Sequence, residues 1–223
     1  MIGQVSEIFE SMQGEGIYLG ERQIFVRLFG CNLDCSFCDT RFFRFKQYQP
    51  QELVTELLSF GDTYHSVSFT GGEPLLQKDF LKETLKLSRS AGFKNYLETN
   101  GTLPDELSEV IDLVDIVSMD FKLPSSTGEG DLWQKHRRFL EVSSARDVFV
   151  KAVINQSTVE EDILRAIEVI TTVNPTVVLV LQPDSRVESA LLKKKIDNFK
   201  GICTRNNIIT CVIPQVHKIV GVK

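Results

Sequence analysis

The sequence predicts an α/β fold, a partial and open barrel of parallel strands with helices on its outside. Three observations carry that expectation. Short runs rich in Val, Ile and Phe alternate with segments whose apolar residues recur at helical spacing, the pattern of successive βαβ units. Six or seven such runs are present, fewer than the eight that close a complete barrel. The composition is that of an ordinary globular chain, 223 residues of which 42% are hydrophobic and 25% charged. Its 14 glycines and 7 prolines are too few for a disordered or collagen-like polymer.

Taken in order, the first strand is expected over 23–28. Pro50 suits the start of a helix over 51–59, whose Leu53, Val54, Leu57 and Leu58 share one face. A strand over 66–70 follows, then a helix over 79–91 built on Phe80, Leu81, Leu85 and Leu87 and stopped by Gly92. Strands are expected over 94–98, 115–119 and 147–154. The helix over 159–172 groups Ile163, Leu164, Ile167 and Ile170, with Ser157 or Thr158 as its N-cap. A strand over 176–182, a helix over 187–199 and a strand over 208–213 complete the series. No internal repeat, charge block or linker-like tract interrupts it, so one domain over 1–223 is expected.

Charge and hydropathy narrow the function classes. With 25 Lys+Arg against 30 Asp+Glu and a net charge of −5, a broad nucleic-acid-binding face is not expected, because phosphate contacts need clustered cations. The longest apolar run, 177–181, falls far short of the roughly 20 residues that cross a bilayer. Glu7 and Glu10 stand where a signal peptide needs an apolar core. A cytoplasmic protein with reduced thiols and no membrane partner follows as the expectation.

The five cysteines are odd in number and cannot form a complete disulfide set. Three of them, Cys31, Cys35 and Cys38, fall within eight residues directly after the first strand. A closed tetrahedral zinc site needs four ligands, and so does a four-cysteine cluster; Cys203 or Cys211 could return to supply one. If neither does, a [4Fe–4S] cube on three thiolates keeps one iron open to a small molecule. The second strand ends in Gly71-Gly72-Glu73-Pro74, which reads as a tight turn or as backbone that lets a ligand approach closely. The third ends in Glu98-Thr-Asn-Gly101 and the fourth in Ser118-Met-Asp120-Phe-Lys122. Strand C-termini are where this fold gathers its chemistry.

The C-x3-C-x2-C spacing, with Gly-Gly-Glu-Pro about 30 residues on, resembles the radical S-adenosylmethionine superfamily. Gln13-Gly-Glu-Gly16, Arg27, Asp39-Thr40, Lys151, Gln182-Pro-Asp184 and Gln215-x-His-Lys218 narrow the resemblance to the 7-carboxy-7-deazaguanine synthase family, from about residue 4 to the last. The resemblance implies a partial barrel of the radical SAM type, with short substrate-binding segments at both ends of one core domain. It implies a [4Fe–4S] cluster on Cys31, Cys35 and Cys38, and Mg²⁺ on the Thr40 hydroxyl. S-adenosylmethionine would lie against Phe37, Cys38, Asp39, Gly72, Glu98, Ser118, Asp120, Lys122, Gln182, Pro183 and Asp184. The substrate would meet Met12, Gln13, Gly14, Arg27, Thr70 and the terminal carboxylate of Lys223; an arginine fork suits a substrate carboxylate.

The implied enzyme is a lyase that converts 6-carboxy-5,6,7,8-tetrahydropterin to 7-carboxy-7-deazaguanine and ammonia, feeding 7-deazapurines such as queuosine. The implied partners are an electron donor such as flavodoxin or ferredoxin and a second copy of the chain. Two other readings remain at this level. One is an enzyme that installs a glycyl radical on a partner protein; the other is a zinc-stabilised binding module. Elsewhere, Cys203 and Cys211 read as buried apolar thiols, His65 and His136 as surface or loop residues, and 128–133, ending in Trp133, as a loop or lid. Phe42, Phe43 and Phe45 are expected to shield the cluster from water.

Overall fold

A computed structural model describes residues 1–38, 43–61 and 63–221. Among them, nine strands form a single sheet: β1 (Gly3–Met12), β2 (Arg22–Leu28), β3 (Lys46–Tyr48), β4 (Ser66–Gly71), β5 (Asn95–Thr99), β6 (Ile116–Asp120), β7 (Asp147–Ile154), β8 (Leu179–Pro183) and β9 (Thr210–Val212). The order is β3-β1-β2-β4-β5-β6-β7-β8-β9. From β2 to β9 every pairing is parallel, so the seven expected strands form the open barrel. The chain adds β1 and β3 antiparallel at one edge. β1 escaped the sequence reading because Glu7, Glu10, Ser6 and Ser11 break its apolar alternation, and a register shift between Val5 and Glu7 interrupts it further.

The helices are α1 (Pro50–Ser59), α2 (Lys78–Ser90), α3 (Pro104–Ser108), α4 (Pro124–Thr127), α5 (Trp133–Ser143), α6 (Glu160–Val173), α7 (Ser189–Arg205) and α8 (Val216–Val220). α1 starts at Pro50 and is closed by a capping box in which the Glu52 carboxylate accepts the Gln49 N–H at 2.8 Å. α2 ends before Gly92, whose φ of +91° fits the expected stop. The expected cap of α6 is not made: Val159 holds the N-cap position, while the Thr158 hydroxyl accepts the Asn155 N–H at 2.9 Å and closes the preceding loop instead.

The loop expected before Trp133 is present over 128–132, but α5 corrects the reading of Trp133 and of His136. Gly128 ends α4 with φ +79°, and Trp133 opens a helix whose His136, Phe139, Leu140 and Ser143 face the core. His136 is buried and stacked on Phe121, ring centroids 5.1 Å apart. Its helical spacing from Phe139, Leu140 and Ser143 was the overlooked signal.

Strand periodicity separates two cores. Leu97, Val117, Val150 and Leu181 face outward into the main core under the helices. Tyr96, Ile116, Phe149 and Val180 face inward and form the barrel floor. Tyr18 drops into that floor from the N-terminal loop, 5.9 Å from the Tyr96 ring and 6.2 Å from Phe149, and its hydroxyl bonds Asp147. Cys203 is buried on α7's packing face and Cys211 is half-buried beside the floor.

Candidate active site

The same period of two builds the site. One step beyond the floor along each strand, the inward positions become polar: Glu98 after Tyr96, Ser118 after Ile116, Lys151 after Phe149, Gln182 after Val180. A further step reaches Asp120 and Asp184, and the corresponding inward positions on β2 and β4 are Arg27 and Thr70. Above this polar layer opens a cavity of about 420 Å³.

One wall is the loop after β2, with Cys31, Cys35, Phe37 and Cys38. Its shape is dictated by the Gly-Gly-Glu-Pro turn after β4. The Gly72 N–H donates to Leu28 O at 3.1 Å and the Glu73 N–H to Gly30 O at 2.8 Å. A Cβ on Gly71 would stand 2.2 Å from Leu28 O, and one on Gly72 would stand 2.0 Å from Gly30 O. Both glycines are therefore required by backbone approaching backbone, and Gly71 adds a φ of +125°. Glu73 is fully buried and receives Asn100 N–H at 2.7 Å and Leu75 N–H at 3.1 Å. Burial outweighs those bonds and lifts its carboxyl to about 7. The other side of the loop is held by α4 and by the segment after β8. Ser36 N–H donates to Thr127 O at 2.8 Å, and Arg186 reaches Ser36 O at 3.0 Å.

The facing wall joins the two ends of the chain. Gln13 donates to Gln23 at 2.9 Å and to Glu98 at 2.8 Å. Thr70 donates to the other Glu98 oxygen, also at 2.8 Å. Arg27 donates to Glu7 at 3.2 Å and lies 4.9 Å over the Phe9 ring. The start of α8 closes over this loop, with Val216 N–H on Gly14 O at 2.9 Å. His217 packs so closely that a Cβ on Gly14 would lie 2.3 Å from its ring nitrogen.

Between the walls runs a buried charge network whose members stand in separate sequence motifs that give no sign of their meeting. Lys151 donates to Glu15 at 2.6 Å and stands 3.5 Å from Asp120, while Lys122 pairs with Asp120 at 2.9 Å. Burial alone would lower the Lys151 ammonium, but Asp120 and Glu15 outweigh it and hold the group well above its ordinary value. Burial likewise opposes ionisation of Asp120, and Lys122 and Lys151 overcome it.

Of the expected residues, Met12, Gln13, Gly14, Arg27 and Thr70 line one side. Phe37, the three cysteines and Gly72 line the other, with Glu98, Asp120, Lys122, Gln182 and Asp184 between. Ser118 is buried in the layer beneath, and Pro183 is not among the lining residues. Asp39, Thr40, Phe42 and Lys223 lie outside the described residues. Phe45 packs on Phe29, centroids 4.8 Å apart, but Phe43 is 90% exposed and shields nothing in this structure.

The lining fits the groups expected there. Among the described residues no three Cys, His, Asp or Glu side chains converge on a single metal ion; a cube instead takes each thiolate on a different iron. Burial raises Cys35 to about 11, so that thiol needs a cation's charge to ionise near neutrality. One buried acceptor, Gln182 Oε1, lacks a hydrogen-bond donor among the described residues, and Asp120 Oδ1 has the Lys151 ammonium at a long 3.5 Å; both residues border the cavity. They suit a ligand carrying amino and hydroxyl donors.

Comparison with known proteins gives the same direction. Residues 26–188 match the Radical SAM superfamily. The chain is 36% identical to the 7-carboxy-7-deazaguanine synthase of Geobacter sulfurreducens, covering 98% of this chain and 97% of that one. It is 35% identical to the enzyme of the same name from Methanopyrus kandleri, over 97% and 92%. The crystal structure of QueE from Escherichia coli shares the fold with a TM-score of 0.67 at 23% identity, over 95% of this chain and 94% of that one. The chain thus belongs to the radical S-adenosylmethionine superfamily, whose enzymes work with a [4Fe–4S] cluster and S-adenosylmethionine, and within it to the 7-carboxy-7-deazaguanine synthase family.

Proposed function

We propose that the protein converts 6-carboxy-5,6,7,8-tetrahydropterin to 7-carboxy-7-deazaguanine with release of ammonia, a step toward 7-deazapurines such as queuosine. The observation that carries this reading is near-full-length identity to enzymes of that name. A single cavity that opposes three thiols to an arginine-bearing wall supports it. When bound, the cluster and S-adenosylmethionine supply hydrogen-abstracting one-electron chemistry.

The chain's own residues bind, orient and exclude water. Cys31, Cys35 and Cys38 hold the cluster, and Phe37, Gly72, Asp120, Lys122, Gln182 and Asp184 border the cofactor. Arg27 donates its fork to the substrate carboxylate. Thr70 gives its proton to Glu98, so its oxygen is left to accept a pterin N–H. Gln13 is fixed by Glu98 and Gln23 and presents Met12 and Gly14 to the ring. Glu98 therefore supports the substrate side as well as the cofactor side to which the sequence assigned it. Mg²⁺ at Thr40 completes the reading.

Cys31 and Cys38 are exposed at the surface, which supports electron delivery by a docked flavodoxin or ferredoxin. The outer edge of β9 is unpaired among the described residues and exposes Ile209 and Val212, which supports a homodimer. Free thiols suit the cytoplasm, and among the described residues no helix is long and apolar enough to cross a membrane. One continuous sheet supports a single domain over 1–223.

An anaerobic assay of reconstituted protein with dithionite, S-adenosylmethionine, Mg²⁺ and the carboxypterin tests the reaction. Deazaguanine formation is expected; cofactor cleavage without that product would remove the specific function and leave the superfamily intact.

A further inference from the structure

We infer that Lys151 is a positioning residue that couples the substrate wall to the cofactor wall, by holding Glu15 of the N-terminal loop and Asp120 of β6 on one ammonium. The inference rests on the proposed function for what each wall binds. Lys151 lies on β7 directly opposite Asp120 in the β6–β7 register, and its side chain is 5% exposed. Its own backbone carbonyl accepts the Phe121 N–H at 2.8 Å. The cation is thus built into the sheet.

What it holds is less firmly built. Glu15 sits in the loop between β1 and β2, and its other oxygen accepts Gln215 Nε2 at 2.7 Å. Gln215 in turn accepts the Ser185 hydroxyl at 2.7 Å. Through Glu15, then, one ammonium sets the loop that carries Gln13 and Gly14 and also the segment that closes over Gly14. On its other side Asp120 turns Oδ1 to the Lys151 ammonium at 3.5 Å and Oδ2 to the Lys122 ammonium at 2.9 Å, and both Asp120 and Lys122 border the cavity on the cofactor side. A charge shared by two carboxylates on opposite walls fixes their separation. Loss of that charge frees the loop without touching a thiol or Arg27.

A further reason makes the device necessary. Gly16 has φ +67°, and a Cβ there would meet the Phe149 ring at 2.4 Å, so the loop follows one tight path between Tyr18 at the floor and Glu15 at the layer above. Glu15 ties that path to β6 and β7 through Lys151, while Gln13 ties its start to Glu98 on β5.

The test compares Lys151→Met, Glu15→Gln and the double variant. Three quantities are read: the KM for carboxypterin, the 5′-deoxyadenosine formed per deazaguanine, and amide exchange over 13–20 in substrate-free protein. Lys151→Met is expected to raise KM at least tenfold, to raise the 5′-deoxyadenosine ratio several-fold and to accelerate exchange over 13–20, with cluster absorbance retained. The double variant, lacking both charges, is expected to recover part of the Lys151→Met loss. A folded Lys151→Met protein with wild-type KM, ratio and exchange overturns the proposal. If that variant fails to fold, Glu15→Gln decides: faster exchange with raised KM supports coupling, and wild-type values for both overturn it. If the wild-type protein makes no deazaguanine, the proposed function fails, while substrate-free exchange still decides the role of Lys151.

Discussion

The thiol-bearing wall is braced largely by backbone, whereas the facing wall is braced by side chains drawn from both ends of the chain. Gly72 and Glu73 hold the cysteine loop through main-chain bonds to Leu28 and Gly30, and α4 adds another through Thr127. Gln13, Glu15 and Arg27 are instead held by Glu98, Lys151 and Glu7. The difference teaches where each wall tolerates change. Backbone bracing depends on small residues in a short stretch and fails sterically. Side-chain bracing depends on charge and fails in affinity, leaving the fold in place.

The largest expected effect strikes the first wall. Cys35→Ala removes one of three thiols, and cofactor cleavage should fall at least about a thousandfold. Iron content and visible absorbance check it; full cluster content in that variant would break the assignment. Gly72→Ala comes next. Its Cβ would meet Gly30 O at 2.0 Å, and backbone cannot yield as a flexible side chain can, so a loss of about 2–3 kcal/mol is expected. Chemical denaturation measures that loss, and iron loading should fall with it.

The pH dependence gives a smaller effect, located behind β6. Burial depresses His136 to about 3 from an ordinary 6.5. The unfolded chain therefore binds a proton that the folded one refuses, and stability is lost as pH falls below 6.5. Between pH 6.5 and pH 5 the loss is about 2 kcal/mol. His136→Phe keeps the stack on Phe121 and should flatten that limb, as urea midpoints at the two pH values would report. An undiminished acid limb would place its cause elsewhere.

How much of this was legible in the sequence follows the same division. The parallel strands could be read because both their faces are buried, which enforces runs of Val, Ile and Phe. The thiol wall could be read because its parts are contiguous: three cysteines in eight residues, and two glycines beside one glutamate. β1 was missed because one strand serves the sheet edge and the cavity together, mixing Glu7 and Glu10 with Ile8 and Phe9. His136 was misread although its spacing to Phe139 and Leu140 was visible. Lys151 and Glu15 are 136 residues apart. Each belongs to a motif, but nothing in either motif says that they touch, since their meeting depends on barrel closure.

Arg27→Ala tests the separation of the two walls most directly. Cluster absorbance and S-adenosylmethionine binding should match wild type, while the KM for carboxypterin rises at least about tenfold, the scale of one lost charge-assisted bond. Loss of visible absorbance in Arg27→Ala, with the substrate KM unchanged, would contradict the account.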